Sequence, residues 1–216
     1  MADLTGGEFR LHHRGMMMTT AILTMPAPST ARVAPPPPRQ WSYQDYLNLP
    51  DDGKRYEIIE GVLYMANAPS STHQYLVLEI ARRMANYVID HALGQVTVAP
   101  FEVHLSETSR PIQPDVFFVK ATRWPLGEIA YFEGAPDLVV EVISPSSTRV
   151  DRYTKFRVYE QSGVQEYWLV NPRLQTVEIF TLVEGEYALW GEFRREDTVT
   201  SGVLAGLEIP CVQVFR

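Results

Sequence analysis

The pattern of apolar and polar residues divides the first half of the chain into a hairpin and a long helix. Two β-prone runs flank Glu60-Gly61 between Arg55 and Met65, which is typical of a β-hairpin. Ser71 followed by Gln74 has the form of a capping box, and a helix is predicted from Ser71 to about Ala92. The residues at helical spacing that form its apolar stripe are Leu76, Ile80, Met84, Tyr87 and Val88.

After Gly94 the apolar runs become short and β-prone, with one further helix between them. That helix is predicted from about Thr148 to Gln161, with Gly163 as its stop. The order hairpin, helix, strands, helix, strands predicts an α/β domain with a central mixed sheet covered by helices. The predicted strands are Val96–Ala99, Phe101–Leu105, Gln113–Val119, Ala135–Ile143, Gln165–Val170, Thr176–Leu182 and Tyr187–Phe193.

The N-terminal segment lacks this patterning. Residues 1–40 are rich in Met, Thr, Ala and Pro and end in a run of four prolines, which favours an extended, disordered tail. A folded domain is predicted for residues 41–216, beginning with a short helix that Ser42 can cap.

Composition narrows the class of protein. The net charge is −7, and the tail contributes +2, so the body carries −9, which argues against DNA binding by bulk charge. The chain has a single cysteine, Cys211, and lacks an apolar run of about 18 residues. We therefore expect a cytoplasmic protein without a membrane span.

Two carboxylates mark the candidate site. Glu141 interrupts the most apolar predicted strand, where a charge is costly unless it is paired or binds a metal. Asp115 stands at the entry of another apolar strand, and pairing of the two strands would bring it to about 5 Å from Glu141. Asp137 lies about 13 Å along the strand from Glu141, so Asp115 is the better partner. Two such oxygen ligands favour a hard cation such as Mg²⁺.

Four further residues are weaker candidates. Lys155 can act in catalysis from the second helix, although Asp151 and Lys155 at i and i+4 are also typical of a solvated face. Glu57 can face the cation from the hairpin, and Arg152 can contact a substrate. His73 is either an exposed or capping residue of the first helix or a phosphate contact. The histidines lack zinc-site spacing, and P-loop, G-x-S-x-G and G-x-G-x-x-G motifs are absent from the sequence.

These residues, in this order, resemble the Uma-two family of restriction endonucleases, over roughly residues 41–182. The segments that carry the resemblance are Tyr56–Gly61, His73-Gln74, Pro114–Val116, Pro136–Ser146, Lys155, Tyr159 and Gly163–Trp168.

The family is placed in the PD-(D/E)xK nuclease superfamily. The resemblance implies a restriction-endonuclease-like core, Mg²⁺ dependence (Mn²⁺ can substitute) and hydrolysis of DNA phosphodiester bonds. It assigns Asp115 and Glu141 as the motif acids. The motif lysine would stand two residues after the acid, but Ile143 occupies that position. In the family a lysine of the following helix takes this role, and Lys155 matches it.

The function expected from this resemblance is a metal-dependent endodeoxyribonuclease, most simply a homodimer that cuts both strands of DNA. The alternative is a catalytically vestigial nuclease fold that binds DNA or a protein partner, which Ile143 and the acidic body favour. A structural interaction protein with a proline-rich tail is a third reading.

Overall fold

A computed structural model describes residues 40–66, 68–145 and 147–216. The helices are α1 (Tyr43–Leu47), α2 (Ser71–Asp90), α3 (Phe156–Ser162) and α4 (Cys211–Val214), and a π-helical segment (Val150–Lys155) precedes α3. The strands are β1 (Arg55–Ile59), β2 (Val62–Ala66), β3 (Gly94–Val98), β4 (Glu102–His104), β5 (Val116–Lys120), β6 (Tyr131–Glu133), β7 (Leu138–Val142), β8 (Glu166–Asn171), β9 (Thr176–Val183), β10 (Glu186–Arg194), β11 (Thr198–Thr200) and β12 (Glu208–Pro210).

The predicted tail, residues 1–40, lies outside the described residues apart from Gln40, so the boundary at residue 40 stays a prediction. No helix in the described part of the chain combines the length and the apolar character needed to cross a lipid bilayer.

A six-stranded mixed sheet forms the centre of the domain, in the order β10-β9-β8-β7-β5-β3. The pair β7 and β8 is parallel, and the other neighbouring strands are antiparallel. All five residues of β7 are buried, as expected for a central strand that is covered on both faces. The predicted α/β architecture with a central mixed sheet is confirmed.

The two faces of the sheet pack against different helices. Alternate residues of a strand point to opposite faces, so Val140 packs on the side of α2, whereas Val139 packs on the side of α3. The α2 face includes Leu76 and Ile80, as the apolar stripe predicts. Strand β7 is therefore packed between the two helical layers along its length.

The β1–β2 hairpin is present with Glu60-Gly61 at its turn, as predicted. Helix α2 begins at Ser71, but its cap is one residue earlier than predicted. The hydroxyl of Ser70 accepts a hydrogen bond from the backbone N–H of His73 at 3.2 Å. The predicted capping box with Gln74 is therefore wrong.

The connection from β7 to β8 is a crossover, as a parallel pair requires. A regular α-helix was expected here, but Val150–Lys155 forms a wider π-helical turn before α3. The backbone N–H of Phe156 donates to the carbonyl of Asp151, which also accepts from the Tyr167 hydroxyl at 3.0 Å. A buried tyrosine thus holds the wide turn against the sheet.

The C-terminal segment, which carries no strong pattern, closes the domain around one buried acid. Each oxygen of Glu166 accepts two hydrogen bonds at 2.6–3.1 Å. The four donors are the indole N–H of Trp168, the hydroxyl of Ser201 and the backbone N–H groups of Gly202 and Val203. Strands β11 and β12, helix α4 and the short β6 were not predicted.

Candidate active site

The pairing of β5 with β7 brings the two candidate acids together. The register sets Val116 opposite Val140 and Phe117 opposite Val139. Continued by one residue, it sets Asp115 opposite Glu141, at a position where side chains of neighbouring strands are adjacent. Oδ2 of Asp115 also accepts a hydrogen bond from the backbone N–H of Val142 at 2.9 Å. This bond ties the loop before β5 to the end of β7.

Lys155 reaches this pair of acids from the π-helical segment. Its Nζ lies 2.9 Å from Oε1 of Glu141 and 3.0 Å from Oε1 of Glu57. Glu57 also accepts from the backbone N–H of Gln113 at 2.7 Å. The lysine is therefore buried between two carboxylates, although Ile143 occupies the usual strand position. The structure thus brings four of the predicted site residues into one cluster.

His73 joins the cluster through Asp115 and is buried, so the exposed histidine considered from the sequence is wrong. Its Nε2 lies 3.1 Å from Oδ2 of Asp115, and Arg55 approaches Oδ1 of the same carboxylate at 3.8 Å. Burial alone would raise the pKa of Asp115, but the hydrogen bond and charge of His73, with the charge of Lys155, lower it. Asp115 is therefore ionised near neutral pH.

Glu141 behaves differently from Asp115. Burial raises its pKa to about 8; the charge of Lys155 opposes this rise, and the charges of Asp115, Asp151 and Glu57 add to it. Oε1 accepts from Lys155 and from the Tyr159 hydroxyl at 2.7 Å. Oε2 accepts no hydrogen bond from the described residues. Glu141 is therefore held in place through Oε1, and Oε2 remains available to bind a ligand.

Asp151 is a further member, which the sequence analysis considered only as the partner of Lys155 in an alternative, solvated ion pair. Both Asp151 and Lys155 are buried, so that alternative is wrong. Burial raises the pKa of Asp151 to about 6, against the charge of Lys155 and a hydrogen bond from Ser147. A carboxyl group with this pKa can exchange a proton near neutral pH. The i,i+4 spacing showed that the two residues share a face, but not that this face points inward.

Arg152 lies outside the cluster. Its guanidinium forms a paired contact with the carboxylate of Glu178 on β9, with Nη1 at 3.1 Å from Oε1. Asp137 also lies apart, at the opposite end of β7, where it accepts from the backbone N–H of Lys120 at 2.9 Å and pairs with Arg123. The structure thus separates both residues from the acidic cluster.

The cluster forms the floor of a cavity of about 880 Å³. Its walls come from the β1–β2 hairpin, the start of α2, the loop after β7 and the turn between β8 and β9. Among the lining residues are Arg55, Glu57, His73, Asp115, Glu141, Asp151 and Lys155.

No three acidic, histidine or cysteine side chains among the described residues converge as a ready-made metal site. Mg²⁺ does not need three, because it commonly binds one or two carboxylates and completes its shell with water and phosphate oxygens. Within the described ranges, Oε2 of Glu141 accepts no hydrogen bond, and Arg55 approaches Oδ1 of Asp115 at 3.8 Å. Burial and the neighbouring carboxylates raise the pKa of Glu141 despite the charge of Lys155, and a divalent cation would oppose this rise. These donors therefore fit Mg²⁺ or Mn²⁺.

The segment that carries this cluster matches the model of a known protein family. The model of the Uma2 family, described as "Putative restriction endonuclease", matches residues 43–211. The match contains all of the residues that line the cavity floor.

Two individual proteins are similar to this chain. The "Uncharacterized protein slr1290" of Synechocystis sp. is 25% identical over 147 residues, which cover 64% of this chain and 73% of that protein. A crystal structure of a "putative nuclease belonging to DUF820" from Anabaena variabilis superposes with a TM-score of 0.69 at 21% identity. The superposition covers 81% of this chain and 97% of the Anabaena chain. The two proteins therefore share the restriction-endonuclease-like fold.

Proposed function

This chain belongs to the Uma2 family of nucleases, and we propose that it is a metal-dependent endonuclease that hydrolyses DNA phosphodiester bonds. The observation that carries this proposal is the position of Lys155. Its ammonium group lies against Glu141, beside Asp115, on the floor of a cavity that opens to solvent. A structural ion pair needs neither the second acid nor the cavity.

Each residue has a distinct role in this proposal. Asp115 and Glu141 would hold Mg²⁺ or Mn²⁺ through their free oxygens. A cation bound there would neutralise the phosphate and lower the pKa of a coordinated water. Burial alone lowers the pKa of Lys155, but Glu141 and Glu57 outweigh it and raise the pKa above its ordinary value. Lys155 therefore stays charged, and it orients the attacking water and stabilises charge on the phosphate rather than accepting a proton.

Glu57 and His73 position these groups. Glu57 holds Lys155 by a second contact beside that of Glu141, and the Gln113 N–H fixes Glu57 in turn. His73 holds the Asp115 carboxylate by Oδ2, which leaves Oδ1 directed away from the hydrogen-bonded side. Asp151, whose pKa lies near neutrality, is the group in the cavity suited to accept the proton released by the attacking water.

The test is cleavage of supercoiled plasmid by purified protein with Mg²⁺ or Mn²⁺ and, separately, with EDTA. Glu141→Gln and Lys155→Met are prepared identically. Glu192→Gln, the same chemical change at an exposed position of β10, is the matched control. We expect metal-dependent nicking by the wild type and the control, and none by the two site variants. Equal nicking by Glu141→Gln would show that the activity comes from elsewhere.

The competing function is the vestigial nuclease fold. It would be supported by the absence of cleavage on supercoiled, linear and single-stranded DNA, together with calorimetry that shows no binding of Mg²⁺ or Mn²⁺. The predicted homodimer is a separate proposal. Light scattering of the full chain tests it, because a monomer at all concentrations would contradict it.

A further inference from the structure

An aromatic residue that the proposed chemistry does not use stands next to the acidic cluster. Tyr64 lies directly opposite Glu57 in the β1–β2 hairpin, so the two side chains point to the same face of the hairpin. Glu57 contacts Lys155, and Tyr64 lines the same cavity. Among the residues that the structure describes, the Tyr64 ring contacts no other aromatic ring, and its hydroxyl has no hydrogen bond. Tyr64 is half-buried and packs against the core on the α3 side of the sheet.

A second part of the cavity lining carries an arginine and an exposed apolar side chain. The turn between β8 and β9 is fixed by Asn171, whose Oδ1 accepts from the backbone N–H groups of Arg173 and Leu174, both at 3.1 Å. Leu174 is 65% exposed although it lines the cavity. Arg173 is exposed and forms no ion pair within the described ranges. A rigid turn thus presents a free positive charge and an apolar surface at the cavity mouth.

The two walls together are complementary to an unstacked nucleotide. A basic group that meets the sugar–phosphate backbone and an aromatic face that stacks on a base are the two elements of single-strand recognition. In an intact duplex the bases are stacked inside and cannot reach an aromatic wall beside the scissile phosphate. Glu141, Asp115 and Lys155 are all buried at the cavity floor. A phosphate must therefore descend into the cavity, which a strand that bends and unstacks can achieve.

We propose that this cavity binds a single-stranded segment of DNA, with a base stacked on Tyr64 and a neighbouring phosphate bound by Arg173. The inference rests on the proposed nuclease function and names its substrate class: unpaired strands, flaps or ends rather than continuous duplex. Leu174 covers the outer side of the bound nucleotide. The net charge of −9 over residues 41–216 fits this mode of binding, because recognition relies on one local arginine and on stacking rather than on a basic surface.

Fluorescence anisotropy of a labelled oligonucleotide tests the proposal without cleavage, with Ca²⁺ in place of Mg²⁺. The affinity of the full-length wild-type protein is measured for a single strand and for a blunt duplex of the same sequence. We expect the single strand to bind at least about tenfold tighter than the duplex, because stacking on one aromatic ring changes affinity by roughly this factor or more.

Substitutions locate the contact. Tyr64→Leu is expected to weaken single-strand binding about tenfold, and Tyr64→Phe to retain it. The matched control is Tyr153→Leu, because Tyr153 is 68% exposed and lies outside the cavity lining. Arg173→Ala is expected to weaken binding and to lower the salt dependence, whereas Arg195→Ala, an exposed arginine away from the cavity, changes neither.

Equal affinity for the two DNA forms would overturn the proposal, as would undiminished single-strand binding by both Tyr64→Leu and Arg173→Ala. Thermal unfolding of each variant identifies a loss that comes from misfolding, and Arg173→Ala then decides, because its side chain is exposed and forms no ion pair or side-chain hydrogen bond within the described ranges. The nuclease proposal fails separately: single-strand binding that depends on Tyr64, without plasmid or oligonucleotide cleavage, would support this binding site and reject the catalytic function.

Discussion

Two buried glutamates on neighbouring strands, Glu141 and Glu166, show how burial and function separate. Both are almost inaccessible, at 2% and 0% exposure. Glu166 is surrounded by four neutral donors, two on each oxygen. Glu141 has donors on one oxygen only, and three other carboxylates raise its pKa. Protein donors thus fill the hydrogen-bonding positions of both Glu166 oxygens, whereas within the described residues they reach only Oε1 of Glu141.

The difference teaches that a buried charge alone does not identify a catalytic residue. The carboxylate of Glu166 holds the C-terminal segment on the sheet, and its hydrogen bonds leave no lone pair for a ligand. The carboxylate of Glu141 retains an available oxygen that faces a cavity, next to a second acid. We therefore expect a mutation of Glu166 to lower stability and a mutation of Glu141 to lower cleavage.

The largest expected effect is on cleavage by Glu141→Gln. Loss of one metal-binding oxygen should lower the rate by about 10³-fold or more. The unfolding free energy in EDTA should rise by about 1–2 kcal/mol, because a crowded buried charge is removed. Quantitative plasmid cleavage and urea unfolding measure the two effects. A loss of stability of several kcal/mol would place Glu141 in the same class as Glu166.

The matching change at the other glutamate, Glu166→Gln, should have the opposite profile. Its amide nitrogen would face backbone N–H groups, so we expect a loss of about 3 kcal/mol in unfolding free energy. For a domain of this size this corresponds to a decrease in Tm of about 10 °C. The cleavage rate of the folded fraction at low temperature should stay within about twofold of wild type. Unchanged thermal stability would refute the structural role.

The pH dependence of stability sharpens the comparison further. The pKa of Glu141 is raised to about 8 in the folded state, above its unfolded value of about 4.5, so ionisation destabilises the fold. The stability that Glu141→Gln gains in EDTA should be absent below about pH 4.5 and should grow until about pH 8, because in this range only the unfolded chain is ionised at this position. Urea unfolding across this range measures it. A gain that decreases with rising pH would reverse the assigned direction.

The smallest effect is expected for Arg152→Ala. Arg152 of the π-helical segment pairs with Glu178 of β9 in a half-buried contact, and such partly exposed pairs contribute about 1 kcal/mol or less. We expect this small loss of stability, with cleavage and its salt dependence unchanged. A tenfold decrease in cleavage at full stability would instead restore the substrate contact that the sequence suggested, and would extend the functional region beyond the cavity.

Much of the fold follows from local patterns in the sequence. The apolar run around Glu141 predicts a central strand, because only a strand covered on both faces is apolar at every position. The pairing of this strand with the segment that follows Asp115 also predicts the adjacent acids. The first inference uses only the neighbours of Glu141 along the chain, whereas the second also assumes that the two strands pair, and both agree with the structure.

The parts that could not be predicted depend on contacts between distant segments. Glu166 binds Ser201 and Gly202, which lie more than 30 residues along the chain and carry no motif. Asp151 and Lys155 have the spacing of a surface pair, and only packing of the crossover on the sheet shows that they are buried. Periodicity indicates which residues share a face of a helix, whereas tertiary packing determines whether that face meets solvent or the core.

The position of Lys155 on the crossover also has a consequence for biosynthesis. A nascent chain released from the ribosome as far as β7 contains Glu57, Asp115 and Glu141 but no lysine in contact with them. The lysine arrives only when the crossover closes and β8 docks beside β7. If the proposed function holds, a chain that ends before Lys155 lacks nuclease activity. Cleavage would then require that the crossover has folded against the sheet.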